Sequence, residues 1–154
     1  MVRRIRTKFF DLVKSLLKEG MSLNKISLCI ALGIVLGIFP VIGSTTVLCA
    51  IAALVFRLNL PAIQIVNYAV YPLQLMLLAP FYTAGSWLFG GRSWSGIGED
   101  VVNLFKTDFW GSVARFGDLT LYAIVVWLLI APFLIFSLYT LLKPVVRKLA
   151  FSHS

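Results

Sequence analysis

Residues Ile26–Phe56 read ISLCIALGIVLGIFPVIGSTTVLCAIAALVF, an apolar run broken at its centre by Phe39-Pro40-Val41-Ile42-Gly43-Ser44-Thr45-Thr46. As one straight helix these roughly 31 residues would run about 46 Å, well past a hydrocarbon core about 30 Å thick. Two complete membrane helices would need about 40 residues. The length fits two shortened helices meeting at a Pro/Gly/hydroxyl break. Irregular backbone at membrane depth is tolerated only against protein or a watery cavity. In transporters, such breaks bind polar substrates and ions.

The rest of the chain supports a membrane setting. Its mean hydropathy is +0.94, with 60% hydrophobic and 13% charged residues, against about 45–50% and about 25% in ordinary soluble domains. The net charge is +8 over 154 residues. Half of the Lys and Arg (Arg3, Arg4, Arg6, Lys8, Lys14, Lys18, Lys25) precede the first apolar segment, and Lys143, Arg147 and Lys148 follow the last. That distribution reads as a positive-inside signal and contact with anionic lipid rather than with nucleic acid. Cys29 and Cys49 lie in apolar helical sequence and read as small buried hydrophobes.

Working outward, residues 2–19 carry Val2, Ile5, Phe9, Leu12, Val13, Leu16 and Leu17 at helical spacing, with basic residues on most of the remainder. This predicts an amphipathic helix ended by Gly20, lying on the cytoplasmic membrane surface or packed on its own domain. Ser22 or Asn24 can cap the next helix, and Gly33-x-x-x-Gly37 within it admits the close approach of another backbone. Pro40 and Gly43 break that helix, and Ser44, Thr45 and Thr46 start a second one running to Phe56. After the turn Arg57-Leu58-Asn59-Leu60, Asn59 can cap a helix whose first turn holds Pro61. Residues 61–89 are again apolar, with Gln64 and Asn67, a break at Tyr71-Pro72-Leu73-Gln74 and a further Pro80. The pairs Phe39-Pro40 and Tyr71-Pro72 suggest a degenerate internal repeat. Residues 90–118 are polar and lean acidic, with an interfacial amphipathic helix expected around Val101–Phe116 and an interruption at Gly111. Asp118 is the expected cap of a final span, Leu119–Leu142, with a kink at Pro132 and a stop at Lys143-Pro144.

These readings give four pieces: 1–20, an interfacial helix; 21–90, a broken-helix membrane domain; 91–118, a polar loop with an amphipathic helix; and 119–154, a transmembrane helix with a basic tail. The fold class is all-α, a small polytopic helical membrane protein. The basic ends place both termini in the cytoplasm and 90–118 outside, which requires an even number of crossings. The rival arrangement makes 26–56 and 61–89 two re-entrant hairpins and leaves the C-terminus outside.

In Gly20-Met21-Ser22-Leu23-Asn24-Lys25, Ala31-Leu32-Gly33, Gly37-Ile38-Phe39-Pro40-Val41-Ile42-Gly43, Thr45, Thr46, Phe56-Arg57-Leu58-Asn59-Leu60-Pro61, Asn67, Pro72 and the Gly85 to Gly90 region, the chain resembles the DUF2062 family of prokaryotic multi-pass membrane proteins. The resemblance covers roughly residues 20–90. The family commonly has Asn-Pro at Tyr71-Pro72 and a Pro at Leu23; the first departure removes a side-chain amide from the second break. The resemblance implies the bacterial cytoplasmic (inner) membrane. Some relatives look associated with glycosyltransferases, which implies envelope metabolism.

No catalytic constellation is apparent. The single His is His153, no acid lies in an apolar segment, and no Cys/His spacing suits a metal. Gly43-Ser44-Thr45 lacks the Lys and the glycine pattern of a nucleotide-binding loop. No enzyme activity and no cofactor are expected. The candidate ligand site is the start of the second helix, Gly43, Ser44, Thr45 and Thr46, whose free N–H groups and hydroxyls suit an anionic headgroup, together with Arg57. Gly33, Gly37, Pro40, Asn59, Pro61, Asn67 and Pro72 are read as break and packing residues. Gln64, Asn67 and Gln74 are expected to join helices by hydrogen bonds. The expected partners are the bilayer and its anionic lipids, with a homo-oligomer or a membrane enzyme possible. The function expected is transport or handling of an anionic lipid or similar amphiphile. The alternative is a non-catalytic scaffold for an envelope-biosynthesis enzyme such as a glycosyltransferase.

Overall fold

The structure, a computed structural model, describes residues 11–90 and 109–151, with side chains of the last helix described from residue 117. The described residues form six helices and no strand: α1 (11–18), α2 (Leu23–Gly37), α3 (Thr45–Phe56), α4 (Leu60–Ala69), α5 (Tyr71–Leu88) and α6 (Phe109–Phe151).

α1 ends as its sequence predicts. Gly20 has φ +78°, its N–H donates to Leu17 O, and Met21 N–H reaches back to Leu16 O. This paired closure satisfies two terminal carbonyls and needs the left-handed residue that Gly supplies without strain. Val13 and Leu16 are buried in a core shared with Ile26, Ile63 and Val146. Of the two settings predicted for this helix, the described half therefore packs on its own domain. Residues 2–10 of that prediction lie outside the described residues.

α2 is capped by Ser22, whose hydroxyl accepts from Lys25 N–H at 3.4 Å; Asn24 lies inside the helix. Gly33 and Gly37 face α4. A Cβ on Gly33 would stand 2.8 Å from Val66 Cβ and 3.2 Å from Ile63 O, and one on Gly37 would run into Val70. The small-residue spacing thus has a defined partner. α2 stops before Pro40, which cannot donate and which disfavours helix at Phe39. Gly43 then takes φ +88°, with open space where a Cβ would be. α3 runs back alongside α2, so Lys25 and Arg57 line one pocket at the end where this hairpin began. Residues 26–56 are thus two shortened helices, of about 22 and about 18 Å.

The second break differs from the first, and the repeat suggested by the Phe39-Pro40 and Tyr71-Pro72 pairs does not hold. α4 and α5 are bent by 61° around Val70, a change of direction and not a reversal. Pro72 sits in the first turn of α5, where a missing N–H is harmless, and Leu73 and Gln74 are already helical. Residues 61–89 are thus a bent helix pair without the reversal seen between α2 and α3.

α6 departs most from expectation. It is one helix of 43 residues, about 64 Å long, passing through Gly111, Asp118, Pro132 and Pro144. Asp118 caps nothing, Lys143-Pro144 does not stop the helix, and the boundary drawn at 118/119 falls inside it. Val146 is fully buried in the core beside Leu16 and Ile26, which offsets the bond lost at Pro144. The interfacial helix expected within 91–118 lies outside the described residues, except for its last turns, which belong to α6.

α6 runs antiparallel to both its partners. Leu23 and Asn24 at the start of α2 lie near Lys143 and Arg147, and Val35 near its end meets Trp127. Gly85 of α5 abuts the backbone of Tyr122 and Ala123 at 2.8 and 2.9 Å from its would-be Cβ, and Tyr82 hydroxyl pairs with Thr120. The last turns of α6 and residues 11–25 therefore lie at one end of the molecule.

Candidate functional site

Polar residues collect in two places. The first is the α2–α3 break. Because Pro40 has no N–H and Phe39 N–H bonds Leu36 O, Val35 O lacks its helical partner. Trp127 Nε1 supplies one at 3.1 Å, and its ring meets Phe39 edge-on, centroids 4.9 Å apart. Gln74 Nε2 donates to Phe39 O at 2.7 Å. Gln64 Nε2 donates to Thr46 O at 2.8 Å, and Asn67 Nδ2 to Gln64 Oε1 at 3.2 Å. The side-chain amides of α4 and α5 are thus engaged with the backbone of the break and with each other, the helix-joining role expected of them. Gln74 Oε1 alone is buried without a partner among the described residues.

The start of α3 does not use its hydroxyls as caps. Ser44 Oγ donates back to Val41 O at 2.8 Å and makes no cap bond, while Thr45 is buried and Thr46 half-buried.

The second place is the basic end. A pocket of about 400 Å³ is lined by the turn after α1 (Glu19, Gly20, Met21), the start of α2 (Ser22, Lys25) and the turn after α3 (Arg57, Leu58, Asn59). Arg57 and Lys25 are both exposed there, and Glu19 is the one acid in the lining. Asn59 ties the parts together: its Oδ1 caps α4 at Ala62 N–H, 2.8 Å, and its Nδ2 donates to the Glu19 carboxylate. Pro61 follows in the first turn of α4.

Arg57 closes α3 with the same bond pattern that Gly20 gives α1. Its N–H bonds Leu54 O, Leu58 N–H bonds Ala53 O at 2.8 Å, and φ/ψ are 51°/53°. It is the one non-glycine residue with positive φ among those described. Helices most often put Gly here, and an L-residue in this region costs about 1–2 kcal/mol.

The two halves of the predicted ligand site are not brought together. Gly43–Thr46 and Arg57 stand at opposite ends of α3, about 18 Å apart by its length, so one headgroup cannot touch both. Trp127, Glu19 and the groove beside Lys143 and Arg147 carry no signal in the sequence pattern. Trp127 carries no local signal, since its partner carbonyl is 92 residues away.

The architecture defines a small all-helical protein built along one helix long and apolar enough to cross a membrane, Gly117–Phe151, or two if the bent pair α4–α5 counts as one span. The chain belongs to DUF2062, described as an uncharacterized protein conserved in bacteria, whose family model matches residues 7–153. The match takes in α1 and α6 and so extends well beyond residues 20–90. No curated protein and no solved structure matches the chain.

Proposed function

We propose that this chain is a multi-pass protein of the bacterial cytoplasmic membrane that holds an anionic lipid, or a similar amphiphile, at its basic end, with Arg57 and Lys25 on the headgroup. The observation that carries this is Arg57 itself. It occupies a strained left-handed position that Gly would fill without penalty, and it lines a pocket with a second cation from a distant turn. Strain of this kind, retained where a cheaper residue exists, points to a use for the side chain. A guanidinium suits a phosphate because it offers paired donors in a fixed fork. Gly43–Thr46 is left out of this site by its distance.

In this reading α2 and α3 form a hairpin entering and leaving at the cytoplasmic side, α4–α5 cross outward, and α6 returns. Trp127, level with the hairpin tip, is about 24 Å along α6 from Lys143, so the tip stays within a core of about 30 Å. Transport would use the 38–44 break and the Val70 bend as the places where helix angles change.

The test is the anionic lipid retained on purification, measured by mass spectrometry with thermal stability as control. Arg57→Lys should lower it and Arg57→Gln lower it further, while Thr45→Val and Thr46→Val leave it unchanged. Equal lipid in wild type and Arg57→Gln would remove the reading. A second reading, a scaffold that partners an envelope-biosynthesis enzyme or a second copy of itself, is favoured by the amides of the break being engaged with backbone, which suits a rigid strut.

A further inference from the structure

A second concavity lies on the other side of the α2 start. Leu23 and Asn24 of α2 and Lys143, Pro144, Arg147 and Phe151 of α6 line a groove of about 580 Å³. We propose that this groove binds an anionic phospholipid, its phosphate on Lys143 and Arg147 and an acyl chain against Leu23, Pro144 and Phe151. The inference rests on the membrane setting proposed above but not on the Arg57 pocket.

Three features carry it. Lys143 and Arg147 are four residues apart on one helix and both line the groove, with Lys143 Nζ also 4.9 Å from the centre of the Tyr139 ring. Both are exposed, and no acid lines the groove. Its floor is apolar, with Phe151 64% exposed, at the end of the helix whose apolar part ends at Leu142. A phosphate beside hydrocarbon matches both parts of such a surface.

Charge also rules out other occupants. The chain's own first ten residues carry Arg3, Arg4, Arg6 and Lys8 and no acid, so they would be repelled. A second copy presenting the same basic end would be repelled as well. An acidic peptide would answer the cations and leave the apolar floor uncovered.

Native mass spectrometry of the full chain, released from micelles supplied with dioleoylphosphatidylglycerol, counts the lipids held. Wild type should retain two, one in each site, and hold dioleoylphosphatidylcholine and inorganic phosphate far more weakly. Lys143→Gln/Arg147→Gln should lose one, its affinity falling about thirtyfold at about fivefold per basic residue. Lys143→Arg/Arg147→Lys should keep both. The two side chains are exposed, so the fold should survive, and each single Gln variant carries the test at about fivefold if the double does not fold. Undiminished retention in the Gln variants, or equal binding of inorganic phosphate, overturns the groove. Arg57→Gln should lose the other lipid only. If it loses none while the Gln double loses one, the Arg57 reading fails and the groove stands.

Discussion

Replacing Trp127 tests how the α2–α3 break is held. Val35 is fully buried, and its carbonyl is released by the chemistry of Pro40 and the bond from Phe39 N–H to Leu36 O. Trp127 Nε1 is its partner. Trp127→Phe keeps a ring against Phe39 but leaves that acceptor unpaired, at about 1–3 kcal/mol. The lost ring volume at a side chain only 6% exposed should add about 1 kcal/mol. The expected loss is therefore about 2–4 kcal/mol, read by equilibrium unfolding in mixed detergent and SDS micelles. A benzothienyl analogue of Trp, isosteric but without the N–H, isolates the first part and should cost about 1–3 kcal/mol. Trp87→Phe is the control, since Trp87 is 83% exposed, and should stay within about 0.5 kcal/mol. A Trp127→Phe protein as stable as the Trp87→Phe control would refute the claim that the break depends on this bond.

Four further substitutions separate the roles argued above. Gly33→Leu should disrupt α2–α4 packing by steric overlap with Val66, and Gly43→Val should cost about 1–2 kcal/mol through backbone strain alone, because nothing crowds that position; wild-type stability in both would mean that neither the close packing at Gly33 nor the left-handed turn at Gly43 is real. Asn59→Asp keeps the acceptor that caps α4 but sets a carboxylate against Glu19, so hydrogen exchange should quicken over residues 11–20 while α4 stays protected; unchanged exchange would show that α1 is not held there. Arg57→Gly should stabilise the protein by about 1 kcal/mol in thermal unfolding and abolish lipid retention at the Arg57 pocket alone, a trade of stability for function that a purely structural arginine would not show.

Local signals in the sequence are legible where local chemistry decides. Gly20, Ser22, Pro40, Gly43, Asn59 and Pro61 each act within a few residues, so caps and breaks are visible without the fold. Gly33 and Gly37 announced a close neighbour but not which one. The α6 boundaries are not legible because Asp118 and Pro144 are ordinary start and stop signs that tertiary packing overrides. Burial of Val146 against α1 and α2 and of Ala123 against α5 holds the helix through both. The composite ligand site failed for a geometric reason: it paired the two ends of α3 across the full length of that helix. Arg57 survives as a candidate, but with Lys25 instead of Thr45 and Thr46, and the partners Glu19 and Asn59 emerge only when residues 40 apart are set side by side.

The central claim is that the basic end faces the cytoplasm and the α2–α3 hairpin returns to it. Single cysteines at Asn24, Ile42, Ser95 and Ser152, in a protein with Cys29 and Cys49 replaced by Ala, can be reacted with a membrane-impermeant thiol reagent on intact and then permeabilised cells. Position 95 should label on intact cells, 24 and 152 only after permeabilisation, and 42, at the hairpin tip, in neither. Labelling of 152 on intact cells with 95 silent, or of 42 from outside, would contradict the account.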